Sequence, residues 1–137
     1  MGYTNRSIMK KSIVSLIVVT FFTIITFAQK PQVQKKDPTG NWKFELPHAP
    51  EGYQVGSVDV GYADKKYSAT MIFPDNNLKI KGERVSFLND SLRFIMYAEG
   101  QEVNVLLKIT EPLKMEGKVI YSEGEIPLLL TKAIKIN

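Results

Sequence analysis

Cysteine is absent from this 137-residue chain, and histidine occurs once, at His48. Without thiols the protein has no disulfide, no thiol nucleophile and no cysteine-bound metal. It also lacks the cysteine to which the lipid anchor of an exported lipoprotein is attached. A zinc site takes roughly three or four histidine, cysteine or carboxylate ligands, and one histidine with scattered acids does not suggest one. We therefore expect no metal and no cofactor.

Motifs of common catalytic sites are missing as well. The chain has neither a glycine-rich phosphate loop nor a Gly-x-Ser-x-Gly elbow. The segments Asp75-Asn76-Asn77 and Asn89-Asp90 lack the calcium-loop pattern and are typical of turns. Nothing singles out two of the 14 acidic residues as a catalytic pair. The sequence therefore favours a protein that is not an enzyme.

Only one long apolar stretch occurs, at residues 13–27. A positively charged start with Arg6, Lys10 and Lys11 precedes it, and it ends in Thr26-Phe27-Ala28, a small-x-small cleavage pattern. The stretch is shorter than the ~20 residues of a membrane-spanning helix. We predict a helical signal peptide over residues 1–28 and export to the periplasm or the extracellular space. An uncleaved membrane anchor is the alternative.

The positive charge of the chain belongs largely to this leader. The whole chain has 18 basic and 14 acidic residues, and removal of residues 1–28 leaves 15 basic residues against the same 14. Nucleic-acid and anionic-membrane binding require a concentrated positive excess. We therefore expect no nucleic-acid partner, and no membrane contact after cleavage.

Residues 29–37 are polar and are predicted to be a disordered linker. From residue 38 to 137 apolar residues alternate with polar ones, as in Trp42-Lys43-Phe44 and along Val103–Ile109, which is the pattern of β-strands. Short turn sequences separate these runs, and short connections join antiparallel neighbours. The pattern also switches parity at Gly56, where we expect a bend.

Residues 38–137 are therefore predicted to form a single all-β domain. We expect an antiparallel meander of eight or nine short strands that closes into a small barrel, because closure removes exposed sheet edges. A β-sandwich is the alternative. A membrane-spanning barrel is disfavoured, because several strands are short and the polar face carries many long charged side chains.

The first strand opens with Gly40-Asn41-Trp42. A Gly-x-Trp at this place resembles the first motif of the lipocalin-like (calycin) barrels. The resemblance implies that Trp42 closes one end of the barrel and that a basic residue near the end of the chain, Lys132 or Lys135, packs over it. It further implies a small apolar ligand. More loosely, the chain resembles small exported proteins of Gram-negative bacteria, a likeness that implies no biochemical activity.

We consider two functions. In the first, the barrel binds a small apolar ligand at its mouth, near Trp42 and near His48 and Tyr53 in the proline- and glycine-rich loop after the first strand. A tryptophan on an alternating strand is more often core, and a lone loop histidine is more often solvated. In the second, apolar residues on the opposite strand face bind a protein partner or a second copy of the chain. The candidates for this partner surface are Ile95, Tyr97, Leu106 and Leu129.

Overall fold

Nine antiparallel β-strands follow one another in the computed structural model, which describes residues 35–136. The strands are β1 (Gly40–Glu45), β2 (Val55–Ala63), β3 (Lys66–Phe73), β4 (Leu78–Lys81), β5 (Glu83–Leu88), β6 (Ser91–Ala98), β7 (Gln101–Glu111), β8 (Lys114–Tyr121) and β9 (Gly124–Lys132). A single 3₁₀ turn, Pro74–Asn76, links β3 to β4. The predicted signal peptide and residues 29–34 of the predicted linker lie outside the described residues.

The strands form one sheet in the order β4-β3-β2-β1-β9-β8-β7-β6-β5. Every chain neighbour from β1 to β4 and from β5 to β9 is also a sheet neighbour, and β1 pairs with β9, with Trp42 opposite Lys132. This pairing curls the meander into a nearly closed barrel. The predicted all-β barrel is confirmed, and its architecture is compatible with a calycin-like fold.

The two edge strands of the sheet, β4 and β5, are joined by a bend rather than by a turn. The chain runs from β4 straight into β5 through Gly82, whose N–H donates to the Ala69 carbonyl at 2.7 Å. A Cβ on Gly82 would lie 2.9 Å from that oxygen and from the Phe94 ring. Beyond Gly82, Arg84 has a φ of 51° and the pairing with β6 is irregular between Glu83 and Ser86. One stretch of chain thus pairs with β3 first and with β6 afterwards.

The alternating apolar side chains of the strands fill the interior of the barrel. The inward residues are apolar and buried on almost every strand, as predicted from the period-two pattern, and the outward face carries the charges. The buried set includes Trp42, Phe44, Val58, Met71, Phe94, Leu107, Met115 and Leu130. No buried polar or charged side chain occurs among the described residues. Burial of this apolar surface is the main stabilising contribution.

Trp42 lies at one end of the barrel, which we call the closed end. Its ring is fully buried, and its indole N–H donates to the Pro38 carbonyl at 2.8 Å. The Lys132 ammonium lies 5.3 Å from the ring centroid, within cation–π range. The arrangement implied by the resemblance is therefore confirmed for Lys132. The turns β2–β3, β5–β6 and β7–β8 also lie at this end.

β1 pairs with β2 through Gly56, the site of the predicted bend, without a register shift. The missing side chain makes room for the Phe44 ring, which a Cβ would approach to 2.7 Å. The β2–β3 turn, Asp64-Lys65, was not predicted. Both residues have positive φ, as in the tight hairpins that usually use Asn-Gly.

Candidate functional site

The other end of the barrel, the mouth, contains a cavity of about 180 Å³. Four connections surround it: residues 46–54, 74–77, 99–100 and 122–123. Because the strands are antiparallel, these four connections fall at the end opposite Trp42. The mouth therefore combines internal space with four loops that can vary without disturbing the barrel.

The cavity walls are the inward positions at the mouth-side ends of the strands. β3 contributes Met71 and Phe73, and β6 contributes Met96 and Ala98. The other apolar wall residues come from β7, β8, β9 and the β1–β2 loop: Val103, Val119, Tyr121, Ile126, Leu46, Ala49, Pro50 and Tyr53. Three polar residues, Glu99, Gln101 and Glu123, complete the lining, so the walls are mostly apolar. Its smallest wall residues are Ala49, Ala98, Val103 and Val119.

The β1–β2 loop folds over the mouth and is tied down at several points. The Leu46 N–H donates to the Gln54 carbonyl at 2.5 Å, which brings the two ends of the loop together. Gly52 is buried with a φ of +86°, and a Cβ there would collide with the Asn76 side chain. Glycine is therefore required where the loop packs on the neighbouring 3₁₀ turn. These contacts hold Tyr53 in the cavity wall.

Tyr53 bridges the mouth. Its ring packs edge-on against Phe73, with the centroids 5.1 Å apart. Its hydroxyl donates to the Glu99 carboxylate at 3.0 Å, which joins the β1–β2 loop to the β6–β7 turn. Desolvation of the phenol, together with this hydrogen bond and the charge of Glu99, raises the pKa of Tyr53 above its ordinary value. The bridge is therefore formed by the protonated phenol.

The rim of the cavity is negatively charged. Each of the four mouth connections carries one acidic residue and neither lysine nor arginine. The four acidic residues are Glu51, Asp75, Glu99 and Glu123. Two of them, Glu99 and Glu123, line the cavity itself. An apolar chamber under an acidic rim suits an uncharged or positively charged ligand better than an anion.

The structure separates the three predicted ligand-site residues. Tyr53 lies in the cavity wall. Trp42 does not line the cavity, because it is buried at the closed end. His48 is exposed on the outside of the barrel, in a shallow groove beside Glu45 and Leu129. Of the predicted trio, only Tyr53 touches the space in which a ligand fits.

The predicted partner-surface residues all lie on the outer face. Ile95 and Leu106 are half-buried, and Tyr97 and Leu129 are about half exposed. Polar groups divide them: Leu129 pairs with Glu45 on one side and with Glu116 on the other. Leu106 pairs with Arg93 and Lys118. The outer apolar residues are therefore interrupted by charges, unlike the walls of the mouth cavity.

Most residues of the cavity were not predicted as site residues. Met96, Ala98, Val103 and Glu99 meet Tyr53 only because β6 and β7 are carried around the barrel to the β1–β2 loop. The one sequence signal for these residues was their position, because they lie near turns at the same end of the meander. Among residues 35–136, no group of three His, Asp or Glu side chains is placed to hold a metal ion.

No helix within residues 35–136 has the length and apolar character needed to cross a bilayer. Comparison with protein-family models and with curated proteins finds no match to this chain.

Proposed function

We propose that the protein is an exported, non-catalytic binding protein that holds one small apolar ligand in the mouth cavity. The observation that carries this proposal is the cavity itself, which has apolar walls, lies at the end of the barrel with the longest loop and is bridged by Tyr53 and Glu99. Ligand sites are typically concave and mostly apolar, with few polar groups.

The cavity volume restricts the ligand. About 180 Å³ is below the roughly 300–1,000 Å³ of drug-sized pockets. It is close to the ~150 Å³ of an apolar cavity that takes up benzene. The ligand is therefore a single small ring system, a short branched chain, or the apolar end of a longer molecule whose remainder passes between the loops.

The fold supports a lipocalin-like assignment for this activity. The meander, the β1–β9 closure and the Trp42–Lys132 contact reproduce what the Gly-x-Trp resemblance implies. We propose that the two ends of the barrel also have lipocalin-like roles, with one end sealed by tryptophan and the other binding the ligand. The cavity is smaller than such an analogy alone suggests, because Phe44, Phe73 and Phe94 occupy the interior.

Binding through the outer face is the second candidate function, as an interaction or envelope-accessory protein or a homodimer. Its support is the proximity of Ile95 to Leu106, which are diagonal neighbours across β6 and β7. The charged residues beside Leu106 and Leu129 break this surface into small pieces. Continuous apolar area is what favours stable association, so we favour the mouth.

The proposal is tested by titrating indole, a small fused two-ring apolar molecule, into the protein and measuring the heat of binding by calorimetry. Ala98→Phe places a ring in the cavity, whereas Leu129→Phe adds a ring on the outer face and serves as the matched control. We expect indole to bind the wild type and Leu129→Phe alike, and to bind Ala98→Phe at least roughly tenfold more weakly. Absence of indole binding to the wild type, or equal binding to all three proteins, would contradict the proposal.

A further inference from the structure

Lysines gather at the closed end. The closed end comprises the two termini of the described region and three turns with their flanking strand ends. The termini are residues 35–39 and 132–136, and the turns are residues 62–67, 88–91 and 111–115. It holds seven lysines and four acidic residues. The lysines are Lys35, Lys36, Lys65, Lys66, Lys114, Lys132 and Lys135, and the acidic residues are Asp37, Asp64, Asp90 and Glu111.

Some of these lysines are engaged within the protein. Lys36 pairs with Asp90 at 3.3 Å, Lys114 pairs with Glu116 at 2.8 Å, and Lys132 covers Trp42. The other four, Lys35, Lys65, Lys66 and Lys135, are exposed. Within residues 35–136 these four form no ion pair with an acidic group. The closed end therefore presents a net positive charge, and four of its ammonium groups lie outside ion pairs.

Exposed apolar side chains are found at the same end. Of the eight large exposed hydrophobic residues in the described region, five lie there. They are Tyr62, Leu88, Leu113, Ile134 and Ile136. Leu88 is 72% exposed beside the β5–β6 turn, Ile134 is 70% exposed after β9, and Leu113 forms the tip of the β7–β8 turn. Leu88, Leu113 and Ile134 thus lie on three different segments of the closed end.

We propose that the closed end docks onto the surface of an anionic lipid bilayer. Lysines attract the negatively charged headgroups, while apolar residues at turn tips enter the boundary between headgroups and acyl chains. A dissolved anion would account for the lysines but leaves Leu88, Leu113 and Ile134 without a partner. A nucleic acid likewise offers no apolar layer for them. The charge complementarity and the apolar tips together select the lipid surface.

This orientation leaves the mouth free. The mouth lies at the opposite end of the barrel, and its acidic rim is repelled by an anionic surface. A docked molecule therefore points its cavity away from the lipid, where a ligand can enter. The inference does not depend on the ligand proposal, because it rests on residues that do not line the cavity.

The test is co-sedimentation with vesicles of phosphatidylcholine alone or mixed with phosphatidylglycerol. The protein is residues 29–137, the form left by the predicted cleavage, which retains all nine strands. Two variants disable the closed end: Lys65→Gln with Lys66→Gln, and Leu113→Ser. Their matched controls are Lys43→Gln with Lys79→Gln on the outer wall, and Val55→Ser near the mouth. Val55 and Leu113 are equally exposed, at 47% and 48%. Urea unfolding shows that each variant is folded.

We expect the wild type to bind phosphatidylglycerol vesicles roughly tenfold more tightly than phosphatidylcholine vesicles, and less tightly as salt is raised. Each closed-end variant should lose about fivefold or more in affinity, while the controls stay within about twofold of the wild type. No binding to the anionic vesicles, equal binding to both vesicle types, or equal losses in the variants and their controls would each overturn the proposal.

Discussion

The two ends of the barrel are built from the same alternating strands and differ in almost every other respect. The closed end is filled by the Trp42 ring, which also binds the Pro38 carbonyl, and it carries lysines. The mouth has small or flexible wall residues such as Ala98 and Met96, an unfilled cavity, and an acidic residue in each loop. One end is thus built for stability and the other has room for a ligand.

The comparison also shows that total charge does not report where charges lie. Residues 29–137 are nearly neutral by count, which is why no membrane contact is expected from the sequence alone. The fold places acidic residues in the mouth loops and most turn and terminal lysines at the opposite end. Because electrostatic attraction depends on where charges lie, a balanced count is compatible with one end that is net positive and another that is net negative.

The largest expected effect is on stability at the closed end. Trp42→Ala removes a fully buried ring that contacts Pro38 and Lys132, and it leaves a cavity. The substitution should lower the free energy of unfolding by about 3–5 kcal/mol. Urea unfolding followed by circular dichroism measures it. Tyr53→Ala, an aromatic deletion at the mouth, serves as the comparison and should cost clearly less. A loss below about 1 kcal/mol for Trp42→Ala would contradict the assigned role.

The same substitution at two depths tests whether the barrel is packed unevenly. Ala69 is fully buried in the middle of β3, so Ala69→Phe should overpack the core and cost about 1–3 kcal/mol. Ala98 faces the mouth cavity, so Ala98→Phe should change stability by less than about 1 kcal/mol. Urea midpoints of the two variants decide the matter. Equal losses would mean that the mouth is packed as tightly as the interior.

The acidic rim should appear as a preference among ligands of one shape. Benzylamine, benzyl alcohol and benzoate differ mainly in charge, and we expect affinity to fall in that order, by about fivefold between the cation and the anion at low salt. Glu123→Gln should shrink this difference, whereas Glu111→Gln at the closed end should not. Competition against indole measures the three affinities, and a preference for benzoate would be contrary to expectation.

The smallest effect concerns pH. The pKa of Tyr53 is raised, so the folded protein keeps this proton at pH values where the unfolded chain, with an ordinary pKa of about 10, loses it. The contribution of the Tyr53–Glu99 bond is therefore complete below about pH 10 and is lost as pH rises through the folded-state pKa. The stability difference between wild type and Tyr53→Phe should shrink from pH 9 to pH 11. A constant or growing difference would argue against this bond.

Much of the fold could be predicted because alternation is local. The inward positions from Trp42 to Leu130 were recognisable by period and residue type, and closure was expected from the cost of exposed edges. Gly82 was expected to lie in one of the short turns but forms a bend, and the tight turn at Asp64-Lys65 was missed. The bend depends on the Ala69 carbonyl of the neighbouring strand, which approaches Gly82 closely. The turn is hard to recognise because Asp64 and Lys65 both adopt positive φ without a glycine.

The candidate site was less accessible to prediction. Tyr53 was found because its loop is rich in proline and glycine, but Trp42 was grouped with it although the two lie at different ends. A strand rises about 3.3 Å per residue, so the four steps from Trp42 to Leu46, the first cavity-wall residue after it, span roughly 13 Å. Met96, Ala98 and Val103 join the site only through barrel closure, which single-strand patterns do not report.

The most direct test of the mouth as a ligand site is a titration of the ¹⁵N-labelled protein with indole, followed residue by residue through amide chemical shifts. Shift changes that saturate and cluster in residues 46–54, 96–103 and 119–126, with residues around Trp42 and Lys132 unmoved, are the predicted result. Saturating changes confined to the outer face around Leu106 and Leu129, or no saturating change at all, would contradict a ligand site at the mouth.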